Sequence, residues 1–456
     1  MKASDLHLPA VAAGACSTTG VDPADVNRLL TLRLILPFLG LIVLNSLDRV
    51  NVGFAALRMN AELGFSPATY GFGVGLFFAG YMVAQVPSMW LLQRYGMRRW
   101  MCGVVLSWGL VATATAFVQD ATSFFALRFA LGLAEAGFAP GVTWCCARWV
   151  PQRFRGGAIG LTMVAIPLSV VIGGPLSGWL MEIRNPLGLP GWRFMILAEG
   201  LPTVLLGVAL WWWVVDSPEQ ATWLTPAQQR WLADTLRVEA RGRSEPHATE
   251  SQLQPSSQRM WQALRPLLGS TLFWGCALVW FSLLTGAYGL MYWLPLVIKQ
   301  ASGQGALAIG WLSALPWVGV AAGMLLNPRH SDRSGERHLH IAVPALVAAL
   351  ALVAAAFAPH GALALALLVA AGLGLGAAQG TFWTLPTSAL SPAALPMGIA
   401  LVNMAGNLGG LLGPSAIGAL RQATGSYQWP VLAVAAVMGL GAVVVLAMRP
   451  SDDRRP

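Results

Sequence analysis

Charged side chains are scarce in this sequence. Only 10% of the 456 residues are Asp, Glu, Lys or Arg, while 56% are hydrophobic; a water-soluble domain carries about a quarter of its residues as charges. That shortage excludes a soluble globular chain. Cysteine is also rare. The five present, Cys16, Cys102, Cys145, Cys146 and Cys276, show no paired spacing. Four of them lie in or beside apolar segments, so they read as small packing residues, not as disulfides or metal ligands. Motifs of catalysis are missing too: there is no phosphate-binding loop, no metal-ligand cluster and no nucleophile–base arrangement. Gly372-Leu373-Gly374-Leu375-Gly376 has no strand before it and lies within an apolar run, which makes it a packing pattern. Neither an enzyme nor a cofactor is expected.

What the chain has in abundance is apolar sequence in long runs. Mean hydropathy is +0.62, and stretches of about 20 residues, each able to cross a bilayer as a helix, recur along the length. Spans are predicted near 32–57, 69–92, 100–118, 123–147, 156–180 and 194–215, then near 270–299, 306–327, 339–358, 361–384, 394–420 and 428–448. The expected fold is therefore an all-α membrane protein with twelve transmembrane helices. Residues 1–31 form an N-terminal cytoplasmic tail, 32–215 a first six-helix bundle, 216–268 a cytoplasmic central loop, 269–449 a second bundle, and 450–456 a C-terminal tail. Leu8–Cys16 faintly resembles a lipoprotein cleavage box, but its apolar core is short, and a cytoplasmic tail is the better reading. Within the central loop, Trp231 and Leu232 among charges suggest a short helix on the cytoplasmic face.

The net charge of +9 would suggest nucleic acid in a soluble chain. Here it follows from the accumulation of Lys and Arg in cytoplasmic loops. With both termini inside, the inner side holds Lys2, Arg28, Arg33, the clusters at 94–99, 148–155, 230–265 and 329–337, and Arg449, Arg454 and Arg455. The outside holds Arg58, Arg184, Arg193, Lys299 and Arg421. The bias is roughly four to one, and a miscounted span would have destroyed it.

An internal repeat accompanies this pattern. Gln93-Arg94-Tyr95-Gly96-Met97-Arg98 matches Asp332-Arg333-Ser334-Gly335-Glu336-Arg337, and Gly174-Pro175 matches Gly413-Pro414, both at an offset of 239. Two motifs at one offset argue for six spans duplicated in parallel, an arrangement that lets two halves rock around a midplane site.

Against so little charge, the ionisable residues inside spans stand out. Asp48 and Arg49 are adjacent in span one, and Arg128 and Glu135 lie seven residues apart in span four. Each costs on the order of 3 kcal/mol in mid-membrane even on the lenient scale, so each needs a partner or a ligand. The second half has none in mid-span. Burial penalises the charged carboxyl, so Asp48 and Glu135 are candidate proton carriers. The alternative is an ion-pair network that only fixes helix packing, with Arg49 beside Asp48 and Arg128 beside Glu135. Arg49 and Arg128 are the candidate anion clamp, because a guanidinium stays charged and offers a planar fork to a carboxylate. Tyr81 and Gln85, Tyr288 and Tyr292, and Asn403 and Asn407 are one-turn pairs presenting hydrogen-bonding groups on single helix faces; the competing readings are an interfacial belt for the tyrosines and helix–helix packing for the asparagines. Glu199, near the outer end of span six beside Gly200 and Pro202, reads as an interfacial acid.

Leu47-Asp48-Arg49-Val50-Asn51-Val52-Gly53-Phe54-Ala55 resembles the first-span motif of the anion:cation symporter family within the major facilitator superfamily. Arg128–Glu135 with Gly137 and Pro140, Gly191-Trp192-Arg193-Phe194, and Asn403 to Gly410 resemble that family as well, and the likeness covers residues 30–448. Within it, His330-Ser331-Asp332-Arg333 and the stretch from Ile166-Pro167 to Gly178-Trp179 are most similar to tartrate permeases. The resemblance implies a major facilitator fold and import of a small organic anion with protons. Tartrate-like hydroxy acids lead and aromatic carboxylates follow; the runner-up is a proton-coupled exporter of drugs or toxic acids. It also implies gating loops built on Arg94, Gly96 and Arg98 and on Asp332, Arg333 and Gly335. Gln93 departs from the pattern, which has Asp there. The expected setting is the bacterial inner membrane, the partners an anion, protons and lipid but no nucleic acid, and the state a monomer.

Overall fold

Inside a bilayer no water is available to satisfy backbone N–H and C=O groups, so apolar runs of this length close their hydrogen bonds as helices. The computed structural model describes residues 21–243, 267–359, 361–389 and 395–448. The first twenty residues of the expected N-terminal tail, Cys16 among them, lie outside the described residues, as do 244–266 of the central loop and the C-terminal tail. Among the described residues, ten helices are long and apolar enough to cross a membrane. One of these, Pro67–Phe117, is 51 residues long and leaves helical geometry at Gly96, where φ is 79° and ψ 171°. Only glycine adopts that backbone without strain, and the turn separates span two from span three. Leu395–Thr424, 30 residues long, is span eleven. The architecture is twelve transmembrane helices in two sets of six.

Span one is Leu36–Glu62, span five Gln152–Glu182, span six Gly191–Trp213, span seven Thr271–Ser302, span eight Ala306–Ser334, span nine Leu339–Phe357 and span twelve Gln428–Ala447. Span ten is Ala362–Phe382, extended by the short helix Thr384–Ala389. Span four is interrupted. Its first helix, Ala121–Glu135, ends at the buried acid, and Phe138–Trp149 continues after a turn. Pro140 supplies the reason, because it has no N–H to return to the carbonyl of Ala136.

The two halves meet along two seams related by the repeat. Gly71 and Gly75 of span two lie against the carbonyls of Pro414 and Leu411 in span eleven; Gly310 of span eight lies against Gly174 and Pro175 of span five. Gly71 and Gly310 are 239 residues apart, as are Pro175 and Pro414, so one crossing is made twice. A Cβ at Gly174 would approach the Gly310 carbonyl oxygen to 2.8 Å, which is why small residues line both seams.

Both seams lie toward the membrane face away from the chain termini, the far face. Every hydrogen bond between the halves is there, among the described residues. Tyr70 Oη donates to the Tyr292 carbonyl at 3.0 Å, Leu307 N to Glu182 Oε1 at 3.2 Å, Ala68 N to Gln422 Oε1 at 3.3 Å and Ser415 Oγ to the Gly71 carbonyl at 3.4 Å. On the face that bears the termini no hydrogen bond or ion pair joins the halves among the described residues. There the helix Pro226–Arg243 packs on the first half, with Leu232 fully buried, Glu239 accepting from Gln152 N at 2.8 Å and pairing with Arg155 at 3.3 Å.

A double variant Ala68→Cys/Gln422→Cys should crosslink readily with a short bifunctional reagent. Adding Gly71→Leu should abolish that crosslink, because a branched side chain would occupy the space of the Pro414 carbonyl. Undiminished crosslinking would show that the halves close without this seam.

Candidate functional site

Adjacent residues on a helix do not face the same neighbour, and this divides the Asp48-Arg49 pair. Asp48 is buried toward span three, where Oδ2 accepts from Trp108 Nε1 at 2.6 Å and Oδ1 from Asn51 Nδ2 at 3.4 Å. Arg49 points the other way and donates from Nε to Glu135 Oε2 at 2.9 Å. The Arg49 side chain is 17% exposed and that of Glu135 is 0% exposed. The local pairings expected from sequence are therefore corrected: the acid of span four pairs with the base of span one. Arg128 and Glu135 share a helix face, but two turns, about 11 Å of rise, are too far for an ion pair along one helix.

Arg128 is left without a carboxylate. It is 1% exposed, and its Nε and Nη2 atoms have no hydrogen-bond partner among the described residues. Its guanidinium carbon lies 5.1 Å from the centre of the Phe77 ring, and that of Arg49 lies 4.9 Å from the same ring. The two guanidinium carbons are thus no more than about 10 Å apart. Stacking on an aromatic face offsets part of the cost of holding a cation away from water. Sequence reading did not single out Phe77 or Trp108, since neither carries a charge that marks it inside an apolar run.

The second half brings its tyrosines to the same place. Tyr288 and Tyr292 stack at 6.2 Å with rings 24° apart, and Tyr288 packs on Phe78 at 4.4 Å. Tyr81, Tyr288 and Tyr292 all lie within electrostatic reach of Arg49, and the Tyr81 ring is 5.3 Å from its guanidinium carbon. Tyr292 is also within reach of Arg128. Tyr81 and Tyr292 are buried and Tyr288 half-buried, packed against the centre and not arrayed as an interfacial belt. Gln85 and Asn403 are half-buried, and no hydrogen bond ties either to the arginines among the described residues. Asn407 is buried with its Nδ2 unpartnered.

Glu199 requires a correction. It is not an interfacial acid: it is buried, and its Oε1 accepts from Ser177 Oγ at 2.7 Å. Asn51 lies between it and Asp48, so a third carboxylate belongs to the buried polar cluster. The sequence signal was ambiguous because distance from a span end does not reveal which side of the helix faces the bundle.

At the loops, Arg98 N donates to Asp216 Oδ1 at 2.9 Å and Arg98 Nε to the Trp211 carbonyl at 2.6 Å. A Cβ at Gly96 would lie 2.9 Å from the same Asp216 oxygen. Asp216, beyond the end of span six, thus supplies a carboxylate to a loop that has Gln93 in place of the expected acid. Arg94 stacks on Trp90 at 5.1 Å. In the second loop Asp332 Oδ1 accepts from Arg337 Nη1 at 2.6 Å, Gly335 has φ 71°, and Arg333 is exposed.

Comparison with known proteins adds the family context. A family model described as Major Facilitator Superfamily matches residues 38–414 and again 308–456. A relative from Agrobacterium vitis named "Putative tartrate transporter" is 40% identical over 432 residues, covering 94% of this chain and 93% of its own. A "Quinolone resistance transporter" from Acinetobacter baumannii is 36% identical, covering 94% and 96%. Among solved structures, a bacterial homolog of the human lysosomal transporter Spinster, inward-facing and unoccupied, superposes with a TM-score of 0.73 over 95% of this chain and 100% of that one, at 18% identity. At that identity the likeness carries the fold alone.

The two arginines should respond oppositely to replacement by methionine. Arg49→Met strands Glu135 as an unpaired buried charge and should cost about 3–5 kcal/mol of stability. Arg128→Met removes a buried cation that has no carboxylate and should raise the midpoint of thermal unfolding in detergent. Equal destabilisation by both would mean that Arg128 is held as firmly as Arg49.

Proposed function

The chain belongs to the major facilitator superfamily, and from that premise we propose that this transporter imports a small organic anion together with protons by alternating access. The observation that carries this reading is Arg128: a fully buried guanidinium with unpartnered nitrogens, sharing the Phe77 ring with the Arg49–Glu135 pair. A carboxylate placed there would satisfy the vacant donors as a charge-assisted fork. Two guanidiniums at this separation suit a dicarboxylate, with Tyr81, Tyr288 and Tyr292 available for hydroxyl groups and Gln85, Asn403 and Asn407 at the periphery. Relatives named for tartrate support a hydroxy dicarboxylate, with aromatic carboxylates second.

Charge balance explains why protons would accompany the anion. Asp48, Glu135 and Glu199 face two arginines, so the ionised site carries one excess negative charge before any substrate arrives. An anion adds to that excess in a medium of low dielectric, and protonation of a carboxylate offsets it. Each ligand improves the binding of the other, which is reciprocal linkage. Asp48 and Glu135 are the proposed proton carriers. Proton coupling needs no cofactor.

The arginine bias of the loops supports cytoplasmic termini, and the bacterial relatives support an inner-membrane setting. The far-face seal is then the outer gate, and the chain is closed to the outside. Rocking of the two bundles, 32–215 against 269–449, about the repeated glycine seams would open it. The loops around Arg94, Gly96 and Arg98 and around Asp332, Arg333 and Gly335 would latch the inner face in the opposite state. A monomer contains all these parts. The second reading, a proton-coupled exporter, draws support from the quinolone-resistance relative; direction of flux in cells separates the two.

Reconstituted vesicles with an acid exterior should accumulate tartrate-like anions against their gradient, and a protonophore should stop it. Glu135→Gln should retain exchange of labelled for unlabelled anion while losing accumulation. Sodium-dependent uptake indifferent to pH would remove protons from the mechanism.

The halves divide the work, since mid-span charges occupy only the first. Tyr288→Phe and Asn403→Ala should reorder a panel of competing acids while leaving the pH profile of uptake nearly intact, because a site that bonds a hydroxyl rejects analogues lacking it. A shifted pH profile with an unchanged ranking would contradict this division.

A further inference from the structure

The repeat that builds the two halves is broken at one place near the far face, and the break leaves a cavity. In the first half, Trp192 Nε1 donates to Glu62 Oε2 at 2.7 Å. Arg193 pairs with the other oxygen of Glu62 at 3.2 Å and donates to the Ala116 carbonyl at 2.7 Å. Trp192 is fully buried, and together these side chains fill the space among spans one, three and six. At the repeat offset of 239, Glu62 corresponds to Ala301, Ala116 to Ala355 and Trp192 to Val431. Glu62 and Trp192 are thus replaced by small apolar residues, and Arg193 by the uncharged Leu432. Those three residues line a cavity of about 800 Å³ enclosed by spans seven, eight, nine, ten and twelve. It lies wholly within the second half and includes no residue of the proposed transport site.

We propose that this cavity holds an acyl chain of a phospholipid from the far-face leaflet. Its wall is mainly apolar, with Val297, Leu312, Ala356, Leu365 and Leu368, while Gln300, Ser302, Ser426, Tyr427 and Gln428 add polar groups; no charged side chain lines it among the described residues. At roughly 30 Å³ per molecule, water filling this volume would number on the order of 25 molecules, and those against the alanine, valine and leucine walls would lack polar partners. An apolar chain buries the same walls favourably. Phe357, Leu363 and Trp429, next in the chain to its lining, are exposed apolar residues, so lipid-facing side chains adjoin the cavity. Arg421 stands at the rim, donating to Gln300 Oε1 at 3.2 Å and lying 4.7 Å over the Tyr427 ring, where it complements a lipid phosphate. Val297 and Ile298 lie just beyond Tyr292 on span seven, so the chain backs the segment that accepts the Tyr70 hydrogen bond of the seal. In this view the lipid does in the second half what Trp192 and the Glu62–Arg193 pair do in the first.

The full chain would be reconstituted into vesicles of phosphatidylethanolamine and phosphatidylglycerol containing a phospholipid with a diazirine on its acyl chain. After irradiation and digestion, adducts should appear on Val297, Leu312, Ala356 and Leu368, as well as on the exposed Leu205 and Val208 of span six. Val431→Trp, which restores the first half's filling, and separately Ala355→Phe, should lose the cavity adducts and keep those on span six. Independently, Ala356→Cys in the otherwise unaltered chain should resist a membrane-impermeant maleimide in vesicles. Absence of cavity adducts in the unaltered chain, their persistence in both filled variants, or rapid labelling of Ala356→Cys, which would mean a water-filled cavity, would each overturn the proposal.

Discussion

The hydrogen-bonded ion pair between Arg49 and Glu135 is the contact on which the centre of this molecule depends. It joins span one to span four, and spans two, three and six are arranged around its consequences. An unpaired charge in this setting is expensive, so fixing Arg49 on Glu135 fixes what the remaining groups must do. Asp48 turns to Trp108 and Asn51. Arg128 stacks on Phe77 without a carboxylate. The site is therefore not a set of self-satisfied pairs; among the described residues it holds one buried cation without a carboxylate and three buried acids.

The packing of the halves closes this centre most tightly toward the far face. The glycine crossings of span two with span eleven and of span eight with span five are the same contact generated twice by the repeat. Close backbone approach at both seams seals the far face with few side-chain bonds. These glycine–carbonyl contacts rest on dispersion and leave no buried charge at the seams. Tyr292 links that seal to the polar centre: its carbonyl accepts from Tyr70 while its ring stacks on Tyr288.

The repeat also shows where duplication was followed by divergence. Mid-span charge is confined to the first half, so the pseudo-symmetric second half is free to present neutral donors and aromatic walls. The same asymmetry recurs at the far face, where Trp192, Glu62 and Arg193 fill one bundle and alanine and valine leave the other open. Two bundles with one backbone plan thus carry different loads, one electrostatic and one of shape.

Much of this was legible without coordinates. Hydropathy determined the twelve spans because apolar runs of about 20 residues cross lipid as helices, and the offset of 239 identified the repeat because both Gly-Pro motifs lie at equivalent helix crossings. Asp48, Arg49, Arg128 and Glu135 were conspicuous for the cost of placing them there. What the tertiary structure alone decided was partnership. Whether Arg49 rests on Asp48 or on Glu135, whether Glu199 meets headgroup water or Ser177, and which acid serves the Gln93 loop all depend on the rotation of one helix against another. Span length and composition do not encode that rotation; it is set by the packing of every neighbour at once. Phe77 and Trp108 were invisible for the same reason, since an aromatic residue in an apolar run announces burial but not what it is buried against.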